Sequence, residues 1–260
     1  TLINQLTQEI KTKYLEFTGD DLQAQNIFSR YELANLKAIL TDCDLLIIDE
    51  AQKIENIGQT LKLIIDNFKI KIIVSGSASF DLADKINEPL TGRTKTYWLY
   101  PLAVSEVSDI YKTVSPDTVL ENFLRFGLMP KNQQLPNESD RISYLYEYIN
   151  NYLSKDVLMF DNIRKPKKII DLLTLLALQI SQEVSIQELA QKLSLNQLTV
   201  NKYLEVLEKM FVIVNLRGFS RNLRKEISKN SKYYFTDIGV RNALIRNFNH
   251  LSARSDAGEL

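Results

Sequence analysis

Asp44-Leu-Leu-Ile-Ile-Asp49-Glu50 is a run of four aliphatic residues that ends in paired carboxylates. Apolar at every position and without polar alternation, it fits a strand buried on both faces, as parallel sheets require. Open α/β sheets hold ligands at the carboxyl ends of such strands, which is where Asp49 and Glu50 stand. Downstream, Ile70-Lys-Ile-Ile-Val-Ser75-Gly-Ser77 reads as a second buried strand tipped with small hydroxyl residues. Upstream, Tyr14-Leu-Glu-Phe-Thr18 is a shorter strand preceded by a helical stripe of Leu2, Ile3, Leu6 and Ile10. Helices are expected over about 30–40 and 57–68, and Lys95-Thr-Tyr-Trp-Leu-Tyr100 reads as a further strand. Helices between buried strands imply crossover connections and a parallel sheet, hence an α/β domain.

At 260 residues the chain has room for two domains, and 45% hydrophobic with 25% charged residues excludes a disordered chain. A single cysteine, Cys43, cannot form an intramolecular disulfide and fits a reducing compartment. A single histidine, His250, removes the central ingredient of His-rich zinc sites and of Ser-His-Asp or His-Cys catalysis. The longest apolar stretch, around Asp171–Ile180, falls well short of the ~18–20 residues that span a bilayer, and no signal peptide opens the chain. The expectation is a cytoplasmic protein with no membrane partner.

Residues of about 103–163 read as helices interrupted at Pro116 and at Gly127-Leu-Met-Pro130. Tyr144, Tyr148 and Tyr152 recur every four residues beside Leu145, Ile149 and Leu153, the spacing of a packing face, with base stacking as the alternative. From Pro166 the pattern changes. A helix over 166–181 is apolar nearly all round and should be buried. Ser185-Ile-Gln-Glu188 and Ser194-Leu-Asn-Gln197 read as capping boxes opening helices 185–193 and 196–210, separated by a short turn. Phe211–Leu216 and Lys232–Thr236 then read as strands bracketing a basic loop. Three helices followed by a β-ribbon describe a winged helix-turn-helix.

In a P-loop nucleotidase the first carboxylate of such a pair holds Mg²⁺, usually through water, and the second polarises the attacking water. A neighbouring strand tipped by Ser75 and Ser77 suits a polar sensor, and Arg93 in Leu90-Thr-Gly-Arg93 is a cation suited to phosphate charge. No G-x-x-x-x-G-K-[ST] occurs in the chain, so the phosphate-cradling loop is not among these residues. Thr1-Leu-Ile-Asn-Gln-Leu6 nevertheless begins as the helix after such a loop begins.

The order of several motifs resembles the AAA+-type predicted ATPases of bacteria and archaea, which join a P-loop core to a winged helix and a C-terminal nuclease-like domain. The motifs are Leu45-Leu-Ile-Ile-Asp-Glu-Ala-Gln52, Val74-Ser-Gly-Ser-Ala-Ser79, Leu90-Thr-Gly-Arg93 and Tyr100-Pro-Leu-Ala-Val-Ser-Glu106. Phe126-Gly-Leu-Met-Pro130, Tyr152-Leu-Ser-Lys-Asp156, Leu198–Glu208 and Ser231–Val240 follow in the same order, so the resemblance spans the chain. It implies ATP and Mg²⁺ as cofactors and Asp49 as the Mg²⁺-associated Walker B acid. It implies Glu50 as the catalytic glutamate, Ser75 or Ser77 as the sensor, and Arg93 as a phosphate- or interface-facing arginine. Thr1 aligns with one of the two hydroxyl residues that end the phosphate loop. By the same resemblance the first strand and phosphate loop would precede Thr1, and Ala257-Gly-Glu-Leu260 resembles the threshold of the nuclease-like domain.

Thirty-two basic and 32 acidic residues balance overall. Residues 211–250 nevertheless carry eight basic against two acidic residues, whereas residues 1–110 carry eleven basic and sixteen acidic. A basic wing with Arg221, Arg224 and Lys225 suits phosphate contacts, and Gln197, Thr199, Asn201 and Lys202 lie off the core stripe of the third helix, free to reach base edges. The expected organisation is an ATPase core over 1–112 lacking its first strand, a helical linker or lid over 113–165, a winged helix over 166–250, and the start of another domain at 251–260. The expected function is ATP binding and hydrolysis, the winged helix coupling nucleotide state to DNA, a partner protein or a homo-oligomer. The alternative is a non-enzymatic winged-helix DNA-binding regulator with an α/β platform domain.

Overall fold

The computed structural model describes residues 2–76, 90–153, 166–218 and 231–260. The chain divides into two compact units, one ending at Tyr97 and the other beginning at Trp98.

The first unit is built on three strands, β1 (Tyr14–Thr18), β2 (Leu45–Asp49) and β3 (Lys71–Val74), in the order β1-β2-β3 and all parallel. Between them run helices α2 (Leu22–Ser29), α3 (Leu33–Leu40) and α4 (Ile57–Asn67), with α1 (Leu2–Glu9) ahead of β1. The all-apolar run supplies the central strand, where Leu46, Ile47 and Ile48 are fully buried. Alternate strand residues point to opposite faces, so a strand with no exposed position needs cover on both. Leu46 and Ile48 share a core with Phe28, Leu36, Leu40, Ile57, Leu61 and Ile64 from the three helices. Asp21 starts α2 by accepting from Gln23 N–H at 2.9 Å, which satisfies one of the helix's orphan donors.

The strand expected at 95–100 does not form. Tyr97, Trp98, Leu99 and Tyr100 are 49–76% exposed and pair with no strand among the described residues. Their aromatic composition suits a strand, but propensity without a pairing partner leaves backbone groups to water.

The second unit contains α5 (Pro116–Phe126), α6 (Glu138–Tyr148), α7 (Pro166–Leu178), α8 (Ile186–Leu193), α9 (Gln197–Lys209) and α10 (Ile238–Leu244). An antiparallel ribbon of β4 (Ile213–Leu216) and β5 (Lys232–Phe235) lies between the last two helices. Val184, between α7 and α8, bridges to Ser231 at the foot of β5. Leu145 of α6 joins Leu172, Leu173, Leu189, Val200, Leu204, Leu207 and Val240 in one core, with Tyr144, Tyr146 and Tyr148 packed against it. Helix α6, expected as part of a linker, thus shares the core of the ribbon-bearing helices. Ser185 caps α8 through Glu188 N–H at 3.3 Å, as its motif implied. Asn196, not Ser194, caps α9 through Thr199 N–H at 2.7 Å; Ser194 instead ends α8 in a left-handed conformation, φ 53°. Asn tolerates the extended N-cap geometry as well as Ser does, so the motif alone did not separate them.

The phrases Phe126–Pro130 and Thr236–Val240 meet in space. Asp237 is 3% exposed and accepts from Leu128 N–H at 2.7 Å and from Val240 N–H at 3.2 Å. Gly127 has φ 73°, and a Cβ there would fall on the Asp237 carboxylate, so glycine is required on both counts. Buried Arg241 holds Asp256 and donates to Ala177 O at 2.8 Å, while buried Arg254 donates to Asp256 at 2.8 Å and to Asn242 Oδ1 at 2.9 Å. The segment expected to open another domain is therefore fastened to the second unit at Arg254 and Asp256. No helix among the described residues is long and apolar enough to cross a membrane.

Candidate active site

Asp49 closes β2 and Glu50 follows it, at the tip of the sheet's central strand. Ser75, just beyond β3, reaches Asp49: its N–H donates to Ile48 O at 3.0 Å, its carbonyl accepts from Ala51 N–H at 3.0 Å, and its hydroxyl donates to Asp49 Oδ1. Two backbone bonds thus fix the hydroxyl that orients the carboxylate. The structure brings Ser75 to Asp49, and Glu50 is the next residue in the chain.

Glu50 adopts a left-handed conformation, φ 51°, and starts the 3₁₀ turn Ala51–Lys53. That turn carries Gln52 and Lys53 back onto it. Gln52 Nε2 donates to Glu50 Oε2 at 2.8 Å, and Lys53 Nζ lies 3.5 Å from the same oxygen and 2.6 Å from Asp20 Oδ1. The hydrogen bond that Lys53 donates to Asp20 chiefly raises the Lys53 pKa above its ordinary value, and the Glu50 and Asp20 charges add to this. Gly19 N–H donates to Asp49 O at 2.7 Å, drawing the tip of β1 against the same corner. Gly19, Asp20 and Lys53 belong to none of the sequence motifs, and Gln52 enters only as the last residue of the Leu45–Gln52 motif. Their signal was slight: Gly19 and Asp20 follow the first strand, and Lys53 stands three residues after Glu50, but nothing in the residue types shows that Glu50 turns left-handed.

Arg93 is not placed with the carboxylates. It pairs with Asp66, on the last turn of α4. That helix has eleven residues, so Asp66 lies about 14 Å along it from the end near Glu50. Thr1 and Ser77 lie outside the described residues, as do Arg221, Arg224 and Lys225 of the basic loop and Tyr152's side chain. On α9, Gln197, Asn201 and Lys202 are exposed and Thr199 is half-buried. The basic surplus of 211–250 overstates the surface charge, because Arg241 is 2% exposed and committed to Asp256.

The Asp49–Ser75 pair offers hard oxygen donors of the kind Mg²⁺ takes, although no group of three or more His, Cys, Asp or Glu among the described residues makes a resident metal cage. Mg²⁺ commonly binds through one or two carboxylates together with substrate phosphates, and the residues present fit that mode.

Residues 1–108 match the model of an AAA domain, which supports a P-loop AAA-type ATPase family for this part of the chain. Residues 117–251, just over half of the chain, match a family described as a domain of unknown function (DUF8612), and the chain belongs to that family. Among relatives, an uncharacterized protein of Mycobacterium tuberculosis is 30% identical over 204 residues, covering 77% of this chain and 44% of the relative. An uncharacterized protein of Methanocaldococcus jannaschii is 26% identical over 240 residues, covering 86% of this chain and 54% of the relative. The chain spans about half the length of the relatives it matches.

Proposed function

We propose that this chain is part of an ATP-binding and ATP-hydrolysing AAA-type ATPase in which Asp49 is the Mg²⁺-associated acid and Glu50 the general base. One observation carries the reading: adjacent carboxylates stand at the tip of the central strand of a parallel sheet, with the neighbouring strand's Ser75 hydroxyl bonded to the first. Mg²⁺ would be held by Asp49, usually through water, and would supply positive charge against phosphate oxygens. Ser75 orients Asp49, and by resemblance Ser75 or Ser77 is the polar sensor. Glu50, 27% exposed at its side chain, accepts a proton from water. By resemblance, Thr1 is one of the two hydroxyl residues that end the phosphate loop of the nucleotide site.

We read residues 166–250 as a winged helix that couples nucleotide state to a DNA or protein partner. The order of α7, α8 and α9, the three-residue turn between the last two, the β4–β5 ribbon and the Val184–Ser231 bridge support this reading. Gln197, Asn201 and Lys202 occupy the exposed amino-terminal half of α9, the part that reaches base edges in helix-turn-helix proteins. Thr199, half-buried, is the least available of the four.

The reading is tested by Mg²⁺-dependent ATP binding to the full-length gene product. Asp49→Asn is expected to weaken the Mg²⁺ dependence while leaving the fold intact. Equal binding with and without Mg²⁺ in both proteins would remove Asp49 from its role.

A further inference from the structure

Two donors converge on one oxygen of Glu50, Gln52 Nε2 at 2.8 Å and Lys53 Nζ at 3.5 Å from Oε2. Oε1 has no hydrogen-bond partner among the described residues. Lys53 is gripped more closely by Asp20, at 2.6 Å. Asp20 in turn is set by backbone: its neighbour Gly19 donates to Asp49 O at 2.7 Å and accepts from Gln25 Nε2 at 2.7 Å. Gly19 also lies so near the Glu50 carbonyl that any Cβ would overlap it. The tips of β1 and β2 are therefore locked together, and a side-chain chain runs from Asp20 through Lys53 to one oxygen of Glu50.

We propose that Asp20 and Lys53 are positioning residues for Glu50, anchoring Oε2 so that Oε1 alone is presented to water. The proposal rests on the ATPase reading above. A glutamate side chain has several rotatable bonds and otherwise samples many rotamers, whereas a general base acts only within hydrogen-bond reach of the proton it takes. Fixing one oxygen leaves the other with lone pairs and a defined direction. Asp20 holds the anchor in place, its carboxylate accepting from the Lys53 ammonium at 2.6 Å. Both anchoring side chains are 42% or more exposed, so their loss should leave the core untouched.

The test is steady-state ATP turnover by the full-length gene product. Lys53→Met and Asp20→Asn should each lower kcat, roughly 10–100-fold as for a misplaced catalytic group, with KM for ATP and Tm unchanged. The double variant should be no slower than the slower single, because both substitutions break one chain. Lys53→Arg should restore most of the rate. An unchanged kcat in Lys53→Met, or losses that multiply in the double variant, would overturn the relay alone. A loss that arrives with a lower Tm and that Lys53→Arg does not restore would assign Lys53 to the fold and overturn it too. A full-length protein with no ATP turnover would overturn the ATPase reading, and the relay with it.

Discussion

Replacing Asp237 by Ala should cost the second unit about 2–4 kcal/mol. The carboxylate is 3% exposed and accepts two backbone N–H groups, from Leu128 at 2.7 Å and Val240 at 3.2 Å. Each buried donor left unpaired costs roughly 1–3 kcal/mol, so the gross loss is about 2–6 kcal/mol. Part of it is returned, because burial pushes the Asp237 pKa up and removing the group also removes that desolvation penalty. For a unit of this size the net loss corresponds to a fall in Tm of about 5–15 °C. The assay is built in: Trp98, the one tryptophan, lies in the second unit with its ring 5.1 Å from that of Phe211, so its fluorescence follows this unit's unfolding. Gly127→Ala should destabilise the unit as well, since its Cβ meets the carboxylate, and by less once Asp237 is already Ala. A raised folded-state pKa means that the aspartate's contribution is fully present below the ordinary carboxylate range and is lost as pH rises through its folded value. The advantage of wild type over Asp237→Asn should therefore be larger at low pH than at neutral pH. A Tm for Asp237→Ala within about 2 °C of wild type would refute the reasoning.

Gly19→Ala should force the tip of β1 away from Glu50, lowering the first unit's stability by about 1–3 kcal/mol as an overpacked contact does; urea unfolding followed by circular dichroism checks this, and an unchanged midpoint would contradict the locked corner. Asp256→Ala strips buried Arg241 and Arg254 of their shared carboxylate and should cost roughly 3–5 kcal/mol at neutral pH. Those arginines hold the Asp256 carboxyl well below the ordinary range, so its stabilisation is complete above that range and fades as pH falls toward the folded value. Thermal unfolding from pH 7 down to pH 3 should show wild type and variant converging. If residues 166–250 bind duplex DNA, affinity should drop by roughly 0.9 log units per log unit of salt for each phosphate contact, and alanines at Arg221, Arg224 and Lys225 should flatten that slope; a slope unchanged by the triple substitution would leave the module to a protein partner.

Much of the first unit was legible because a continuous aliphatic run has few alternatives: Leu45–Ile48, buried on both faces, fits an inner parallel strand. The turn chemistry after it was less so. Whether Glu50 turns left-handed depends on the Ser75 carbonyl that receives Ala51 N–H and on Gly19 beneath it, contacts between residues far apart in sequence. Arg93 was placed by residue type, since a cation after a glycine suits a phosphate, yet Asp66 competes for it. The 95–100 segment shows the limit of propensity, because Tyr, Trp and Leu favour a strand only where a partner supplies the ladder. In the second unit, helical stripes and the Ser185 cap were readable, but the joining of Phe126–Pro130 to Thr236–Val240 through a buried aspartate has no local signature.

The proposed role of Glu50 as general base is tested by ATP binding and turnover of the full-length gene product with Glu50→Gln. Glutamine keeps the shape and an oxygen for Gln52 and Lys53 but cannot take a proton. The variant should keep an ATP Kd close to wild type and show a kcat lower by roughly 10²–10⁴-fold, the contribution of a lost general base. An unchanged kcat alongside unchanged binding would contradict it.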